Sequence, residues 1–443
     1  LAVVAADATA GATALAAAEP VRAKGRPRLG FLVTGQGAAY AGMARGLLPG
    51  APVLVEMLAR CDAAMGLGRP LAELFEDGAA LGRTGLAQPA LFALAVGLGE
   101  QLRAWGIEPA ALLGHSVGEY AAVVLAGVLP LEEGARLIAR RAALMQALPA
   151  GGGMAALLGP RAAAEALLRR HPALEPAALN APTAMTVAGP LAALARLEAD
   201  PAVTSGEIAA HPLPVSHAFH SRLLEPMLDE LAAAAAGLAH APPRVPVVGN
   251  LTGQVQPAWD GAYWRAHARA PVRFADGLES LAGLGCELLV ELGPQPVLAG
   301  FARSVLPDLP VLPTLARGRE PWSVLLNTLA DLHRHGADPD WTTLDQPCQL
   351  NTIPAPQYPF ERQRFWLDDP TLGRAPAVAP APRAPGDVGD ERVWGFYDQL
   401  AEIARGYQER PGEPIDGHLT FGLLDAPEPG FSWLRTLFDG PAA

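Results

Sequence analysis

One serine lies in a pattern that places a nucleophile on a sharp turn between a strand and a helix. Residues 114–118 read GHSVG, so Ser116 is the centre of a G-x-S-x-G sequence. The small residues of this pattern let the backbone turn and lift the serine hydroxyl clear of the sheet. An apolar run, Ala110–Leu113, precedes it and a helical pattern follows it. A purely structural turn has the same five residues, but both flanks favour a nucleophile at Ser116.

A serine hydroxyl needs a base, and that base is normally a histidine from elsewhere in the fold. His115 adjoins Ser116, but neighbouring residues of a turn point in different directions, so we interpret it as a structural turn residue. His217 and His220 both lie in SHAFHS at 216–221. We predict His220, which precedes a helical pattern, as the base; a structural loop histidine is the alternative.

A tetrahedral intermediate of acyl transfer needs two hydrogen-bond donors for its oxyanion. The N–H of Val117, directly after the nucleophile, is the natural first donor. The second candidate is the N–H of Gln36, in the GQG turn that follows the first predicted strand. A plain glycine turn explains that sequence equally well.

Arg141 lies on the amphipathic segment LEEGARLIARRAALMQ, about 25 residues after the serine. Most helix arginines are exposed, and we predict this for Arg136 and Arg140. A buried arginine near the nucleophile would instead bind a carboxylate through two parallel hydrogen bonds. Arg141 would then select acyl groups that carry a second acid.

The composition excludes several classes of function. The chain of 443 residues has a net charge of -12, which argues against binding a nucleic-acid backbone. Its three cysteines are far apart and lack metal-ligand spacing, so we predict a reduced compartment, no zinc and no disulfide. No apolar run approaches the roughly 20 residues of a membrane span, and we predict a cytoplasmic protein. The first residues, LAVVAADATA, indicate a piece of a longer polypeptide.

The order of predicted elements gives an α/β core with an insert. Strands at Leu29–Gly35, Ala110–Leu113, Val245–Val248, Leu288–Leu292 and Val311–Leu315 alternate with helical patterns, as in a parallel sheet covered by helices. Between 153 and 214 the order is strand, helix, strand, strand, helix, strand, which predicts a ferredoxin-like (βαββαβ) insert. The predicted segments are 1–27 (end of a preceding linker), 28–152 and 215–315 (core), 153–214 (insert), 316–369 (linker after the core), 370–392 (flexible Pro/Ala linker) and 393–443 (helix-compatible).

The motifs together resemble the acyltransferase domain of modular type I polyketide synthases. The resemblance covers residues 28–366 and rests on ordered segments: GQGAAYAGM, AQPALFAL, GHSVGEY, GGGMAAL, LNAPTAMTVAGP, HAFHS, NLTG, YWRAHARAPVRF, ELGPQPVL and YPFERQRFW. It implies an α/β-hydrolase-like core with a ferredoxin-like insert. Residues 393–443 resemble, more loosely, the lid of a methyltransferase region; a docking or linker helix is the alternative.

The resemblance also implies roles for individual residues. Ser116 would be the nucleophile, His220 the base, Gln36 and Val117 the oxyanion donors, and Arg141 the ligand of the extender unit's free carboxylate. A backbone carbonyl orients the base in this family, and the NLTG match assigns that carbonyl to Asn250. Gln88, His115, His217 and Phe219 would line the pocket, the last two within HAFH, the motif of malonyl-type members. Phe219 occupies space that an α-methyl branch would need.

The implied activity is transfer of malonyl from malonyl-CoA to the phosphopantetheine thiol of an acyl carrier protein, without a tightly bound cofactor. Methylmalonyl or a larger extender unit ranks second. Implied partners are the carrier protein, an adjacent ketosynthase and a methyltransferase domain, with no nucleic acid and no membrane. Two other classes stay open: a serine hydrolase, which would not need Arg141, and a non-catalytic docking module.

Overall fold

The computed structural model describes residues 2–5, 8–18, 25–345, 418–425 and 432–439, which fall into two compact units. The smaller unit contains helix α1 (Ala8–Ala17), within the segment 1–27, and a hairpin near the C-terminus. The larger unit lies within residues 22–347 and contains every predicted site residue.

The larger unit contains 24 α-helices and strands among its described residues. Its strands follow the predicted order, and the insert has one short helix more than predicted. Up to the insert the elements are β1 (Leu29–Val33), α2 (Pro52–Met65), α3 (Leu71–Leu74), α4 (Gly78–Leu81), α5 (Thr84–Ala104), β2 (Ala111–Gly114), α6 (Gly118–Leu125) and α7 (Leu131–Gln146). The insert contains β3 (Gly152–Leu158), α8 (Arg161–Arg170), β4 (Glu175–Ala181), β5 (Ala184–Pro190), α9 (Leu191–Glu198), α10 (Pro201–Thr204) and β6 (Ala209–Pro212). The remainder are α11 (Glu225–Ala236), β7 (Val247–Val248), α12 (Gly261–Arg269), α13 (Phe274–Gly283), β8 (Leu288–Leu292), α14 (Leu298–Val305), β9 (Val311–Pro313), α15 (Pro321–Arg334) and α16 (Trp341–Asp345).

Five strands form a parallel sheet in the order β7-β2-β1-β8-β9. Strands β1, β2 and β8 are buried along their whole length, which explains why their sequences are apolar apart from Glu291 of β8. Phe31 and Val33 join one apolar cluster, whereas Leu32 between them joins another. Because alternate side chains point to opposite faces of a strand, helices cover both faces of this sheet.

The insert has a four-stranded antiparallel sheet in the order β4-β5-β3-β6. It has a core of its own, which includes Leu157, Leu167, Val187 and Leu197. The backbone of β4 also pairs with the segment after α12, where Leu179 N–H donates to the Val272 carbonyl at 2.8 Å. The insert is therefore joined to the core beside that segment.

The strand ends differ from the prediction where prolines interrupt the hydrogen-bond ladder. The last strand of the insert, β6, ends at Pro212, and β7 begins only after Pro246, two residues into the predicted strand Val245–Val248. No described helix is long and apolar enough to cross a bilayer.

The C-terminal prediction is corrected in part. Within 393–443, predicted to be helix-compatible, strands β10 (His418–Asp425) and β11 (Ser432–Asp439) pair antiparallel, with Leu419 opposite Phe438. The two strands are separated by six residues, and their pairing depends on contacts between residues that are not neighbours in the chain. The composition of the segment does not predict such contacts. YPFERQRFW, the 370–392 linker and the helical pattern from Val393 lie outside the described residues.

Candidate active site

Ser116 lies on a tight turn that both flanking glycines make possible. Strand β2 ends at Gly114, helix α6 begins at Gly118, and Ser116 has φ of 51°, in the left-handed region. A Cβ on Gly118 would stand 2.2 Å from the Val33 carbonyl oxygen, and one on Gly114 would stand 2.2 Å from the Glu119 nitrogen. Only glycine fits at either position, and the turn holds Ser116 in a strained, half-buried conformation.

His220 lies against the serine, as the sequence predicted. Its Nε2 is 2.7 Å from Ser116 Oγ, and its Nδ1 is 2.8 Å from the carbonyl oxygen of Ala270. A carbonyl only accepts, so Nδ1 carries the hydrogen and Nε2 accepts from the serine hydroxyl. His220 is 3% exposed and has φ of 55°, so backbone strain occurs at both members of the pair.

The carbonyl that orients His220 is not the one predicted. The assignment to Asn250 was wrong: its own carbonyl accepts from Arg273 N–H at 2.9 Å. The carbonyl that bonds His220 Nδ1 belongs to Ala270, which follows the last residue of α12 and precedes Pro271. A residue before proline is pushed out of the helical region, and Ala270 has ψ of 157°, which turns its carbonyl out of the helix. The Ala-Pro pair at the end of a helical pattern was the available sequence signal.

Asn250 instead holds the nucleophile turn. Its Oδ1 accepts from Ser116 N–H at 2.7 Å, and its Nδ2 donates to the Gly114 carbonyl at 2.7 Å. The side chain, 2% exposed, therefore bridges both ends of the turn.

The His220 side chain is neutral near neutral pH, so its Nε2 has a lone pair that can accept a proton. Burial lowers its pKa well below the ordinary imidazole value, and His267 and Arg141 act in the same direction. The hydrogen bond to Ala270 opposes this shift without reversing it.

The two predicted oxyanion donors lie on neighbouring turns. Val117 is the N-cap of α6, where backbone N–H groups have no partner within the helix. A Cβ on Gly35, just before Gln36, would stand 2.8 Å from the His115 carbonyl, so the two turns are in close contact. They follow β1 and β2, at the carboxyl edge of the sheet where ligands bind in such folds.

Arg141 is buried and has an unused donor. It is 1% exposed, its Nη1 donates to Gln88 Oε1 at 2.5 Å, and its Cζ lies 5.2 Å from the centre of the Tyr120 ring. Among the described residues, its Nε makes no hydrogen bond. Burial lowers the pKa of Arg141 and Tyr120 opposes this, but a guanidinium stays charged. Such a cation requires an anionic ligand.

A chain of hydrogen bonds links this arginine to the HAFH segment. Arg141 bonds Gln88, and the Gln88 amide bonds that of Gln36 at 2.9 Å. Gln36 then bonds the Thr84 hydroxyl at 3.2 Å, and Thr84 bonds the Ser216 hydroxyl at 3.0 Å. Ser216 bonds His217 Nδ1 at 2.8 Å, and His217 Nε2 bonds the Leu148 carbonyl at 3.2 Å. Arg141 can only donate and the carbonyl can only accept, so every intermediate group donates in the same direction. Thr84 and Ser216 were not predicted, and nothing in their local sequence revealed the chain.

The two remaining predicted pocket residues, His115 and Phe219, contact different parts of the structure. His115 Nε2 lies 2.8 Å from Asn180 Oδ1 of β4, so it links the nucleophile turn to the insert, in keeping with a structural role. Phe219 is 6% exposed, with its ring centre 6.3 Å from that of His217.

A parallel α/β core that presents a turn serine, a histidine against it and a buried arginine is typical of enzymes that transfer acyl groups. The chain belongs to the acyl transferase domain family, whose model matches residues 30–339. That match covers the parallel sheet, the insert and every residue of the candidate site.

Relatives agree with this assignment. The mycoketide-CoA synthase of Mycobacterium tuberculosis is 39% identical over 345 residues, which are 76% of this chain and 8% of the synthase. The acyltransferase domain from the second module of the salinomycin polyketide synthase is 39% identical with a TM-score of 0.72, covering 77% of this chain and 84% of that domain. The malonyl-CoA:acyl carrier protein transacylase of Xanthomonas oryzae pv. oryzae is 31% identical with a TM-score of 0.61, covering 68% and 98%. This chain thus spans under a tenth of the synthase it matches.

Proposed function

We propose that this chain transfers a malonyl unit from malonyl-CoA to the phosphopantetheine thiol of an acyl carrier protein, through an ester on Ser116. The observation that carries the proposal is the buried guanidinium of Arg141, whose Nε has no acceptor among the described residues. Arg141 is joined through Gln88 to Gln36, whose N–H we assign to the oxyanion hole. A site for a carboxylate thus adjoins the site for the reacting carbonyl.

The first half of the reaction forms the acyl-enzyme. Ser116 Oγ attacks the thioester carbon while its proton passes to His220 Nε2, and the N–H groups of Gln36 and Val117 hold the oxyanion. The carbon–sulfur bond then breaks, and the proton on Nε2 passes to the departing CoA sulfur. The Ala270 carbonyl stabilises the transient imidazolium through Nδ1–H.

The second half reverses these steps with a different thiol. The phosphopantetheine thiol gives its proton to His220, its sulfur attacks the ester carbon, and the bond to Ser116 Oγ breaks. Ser116 recovers the proton from Nε2, so the enzyme is unchanged. Its own side chains supply this chemistry, and no tightly bound cofactor is needed.

Malonyl selectivity follows from two contacts. Arg141 binds the free carboxylate, and the buried ring of Phe219 leaves little room for a branch at the α-carbon. A single methyl group discriminates by only about 1 to 3 kcal/mol, so methylmalonyl is a slower substrate and is not excluded.

The carrier protein is proposed as the acceptor because a transacylase relative acts on one. Because the chain spans 8% of the synthase it matches, we place it in a longer cytoplasmic polypeptide beside a ketosynthase and a methyltransferase region.

The test is a competition between malonyl-CoA and methylmalonyl-CoA, read as mass added to the peptide that contains Ser116, with Ser116→Ala as the blank. A malonyl adduct that moves to a carrier protein supports the proposal. Rapid release of free malonate without transfer indicates a hydrolase. Neither adduct nor turnover indicates a docking module.

A further inference from the structure

Behind the catalytic pair lies a carboxylate that the mechanism does not use. Glu119, the second residue of α6, is 0% exposed. Its Oε2 accepts from Asn250 N–H at 2.8 Å, and its Oε1 accepts from Trp259 Nε1 at 3.0 Å and from the Tyr263 hydroxyl. His267 Nε2 lies 3.3 Å from Oε2. A buried carboxylate with this many donors holds its neighbours in place.

The contacts of Glu119 lead to both members of the catalytic pair. One contact is with Asn250, whose side chain bonds Ser116 N–H and the Gly114 carbonyl. Two more are with Tyr263 and His267, one turn apart on α12, and Trp259 lies just before that helix.

Helix α12 leads directly to the base. It ends at Arg269, and the next residue, Ala270, supplies the carbonyl that orients His220. The His267 ring centre also lies 6.1 Å from that of His220. One carboxylate thus spans the elements that fix the serine and those that fix the histidine.

We propose that Glu119 is a positioning residue for acyl transfer, which sets the distance between Ser116 and His220 through Asn250 and α12. This inference rests on the proposed function, because the rate it governs is acylation of Ser116. Displacement of a catalytic group by about 1 Å can cost on the order of 100-fold in rate.

The carboxylate is ionised in this role. Burial alone would raise the pKa of Glu119, but His267 and the donors from Tyr263 and Trp259 outweigh burial and lower it. A neutral amide would present N–H groups to donors that now bond an oxygen.

The test is Glu119→Gln, assayed by pre-steady-state acylation of Ser116 with malonyl-CoA. We expect kcat to fall about 10- to 100-fold while KM changes by less than about threefold, since Arg141 and Phe219 are untouched. With Asn250→Ala the loss should be less than multiplicative, because one of the two routes from Glu119 runs through the Asn250 side chain and the other, through α12, is kept. A kcat within about threefold of wild type, or multiplicative losses, would overturn the inference.

Glu291→Gln is the matched control, because it makes the same change at another carboxylate that is 1% exposed. Glu291 accepts from the N–H groups of Leu298 and Ala299, at 2.8 Å each, and shares no partner with Glu119. It should lower the melting temperature and keep kcat within about threefold. A loss of kcat equal to that of Glu119→Gln would mean that any buried carboxylate has this effect, and would refute the inference.

Two measurements keep the test decisive. If circular dichroism shows that Glu119→Gln does not fold, Tyr263→Phe removes one donor without a change of charge. Lower kcat at constant KM then supports the inference, and wild-type kcat refutes it.

A fluorophosphonate probe reports serine reactivity without any acyl donor. If wild type reacts with the probe but takes no malonyl, the proposed function fails, and the probe's rates on the variants decide the role of Glu119.

Discussion

Under the proposed function, replacing Arg141 with alanine should remove the preference for acyl donors that carry a free carboxylate. The guanidinium is 1% exposed, and one of its donors, Nη1, is occupied by Gln88. We propose that Nε, which makes no hydrogen bond among the described residues, and Nη2 bind the two oxygens of a carboxylate, in a site from which water is largely excluded.

The expected loss of kcat/KM for malonyl-CoA follows from those two donors. Hydrogen bonds to charged groups contribute about 1.5 to 3 kcal/mol each. Two at the low end amount to about 3 kcal/mol, or roughly 150-fold in kcat/KM for malonyl-CoA. Acetyl-CoA has no carboxylate to lose, so its kcat/KM should stay within about threefold, and the malonyl-to-acetyl ratio should fall about 100-fold.

The assay is acylation of Ser116 by malonyl-CoA and acetyl-CoA in competition, read by mass. Arg140→Ala is the matched control, since the preceding arginine is half exposed and pairs with Glu230 at the surface. It should change neither rate by more than about twofold. An equal loss with both donors, or an unchanged malonyl rate, would refute the carboxylate assignment.

Three further predictions concern the base, the pocket and the hydrogen-bond chain. Because the neutral form of His220 is the active one and its pKa is lowered, kcat/KM should stay flat as pH falls through 6.5 and decline only below it; a limb centred at or above 6.5 would contradict this. Phe219→Ala should raise the methylmalonyl-to-malonyl ratio about 5- to 100-fold in the same competition, and an unchanged ratio would show that the ring does not restrict branching. Thr84→Val removes the hydrogen bonds to Gln36 and Ser216 and should lower malonyl kcat/KM about 5- to 30-fold, while Thr84→Ser keeps it; equal rates for both would show that the chain is dispensable.

Local sequence was sufficient for the elements and for the nucleophile. The strand Leu288–Leu292 was predicted to the residue, because a strand buried on both faces is mostly apolar, and Glu291 is its one charged side chain. The turn at Ser116 was equally clear, since neither glycine beside it admits a Cβ. Both features depend on residues that are neighbours in the chain.

Partners from distant parts of the chain were harder to identify. Asn250 was assigned a backbone role, but its side chain holds the turn and the carbonyl of Ala270 orients the base. A backbone carbonyl belongs to every residue, so no side-chain type marks the one that is used. Only the end of α12 and its position beside His220 decide it.

The sequence by itself determined the α/β order, the turn serine and a short set of candidate bases and cations, because periodicity and steric demands are local. The tertiary structure decided that Arg141 is buried with a free donor, that Thr84 and Ser216 connect it to His217, and that Glu119 joins both halves of the catalytic pair. Burial and hydrogen-bond partners depend on which elements pack together, and a parallel sheet brings together residues more than 100 positions apart.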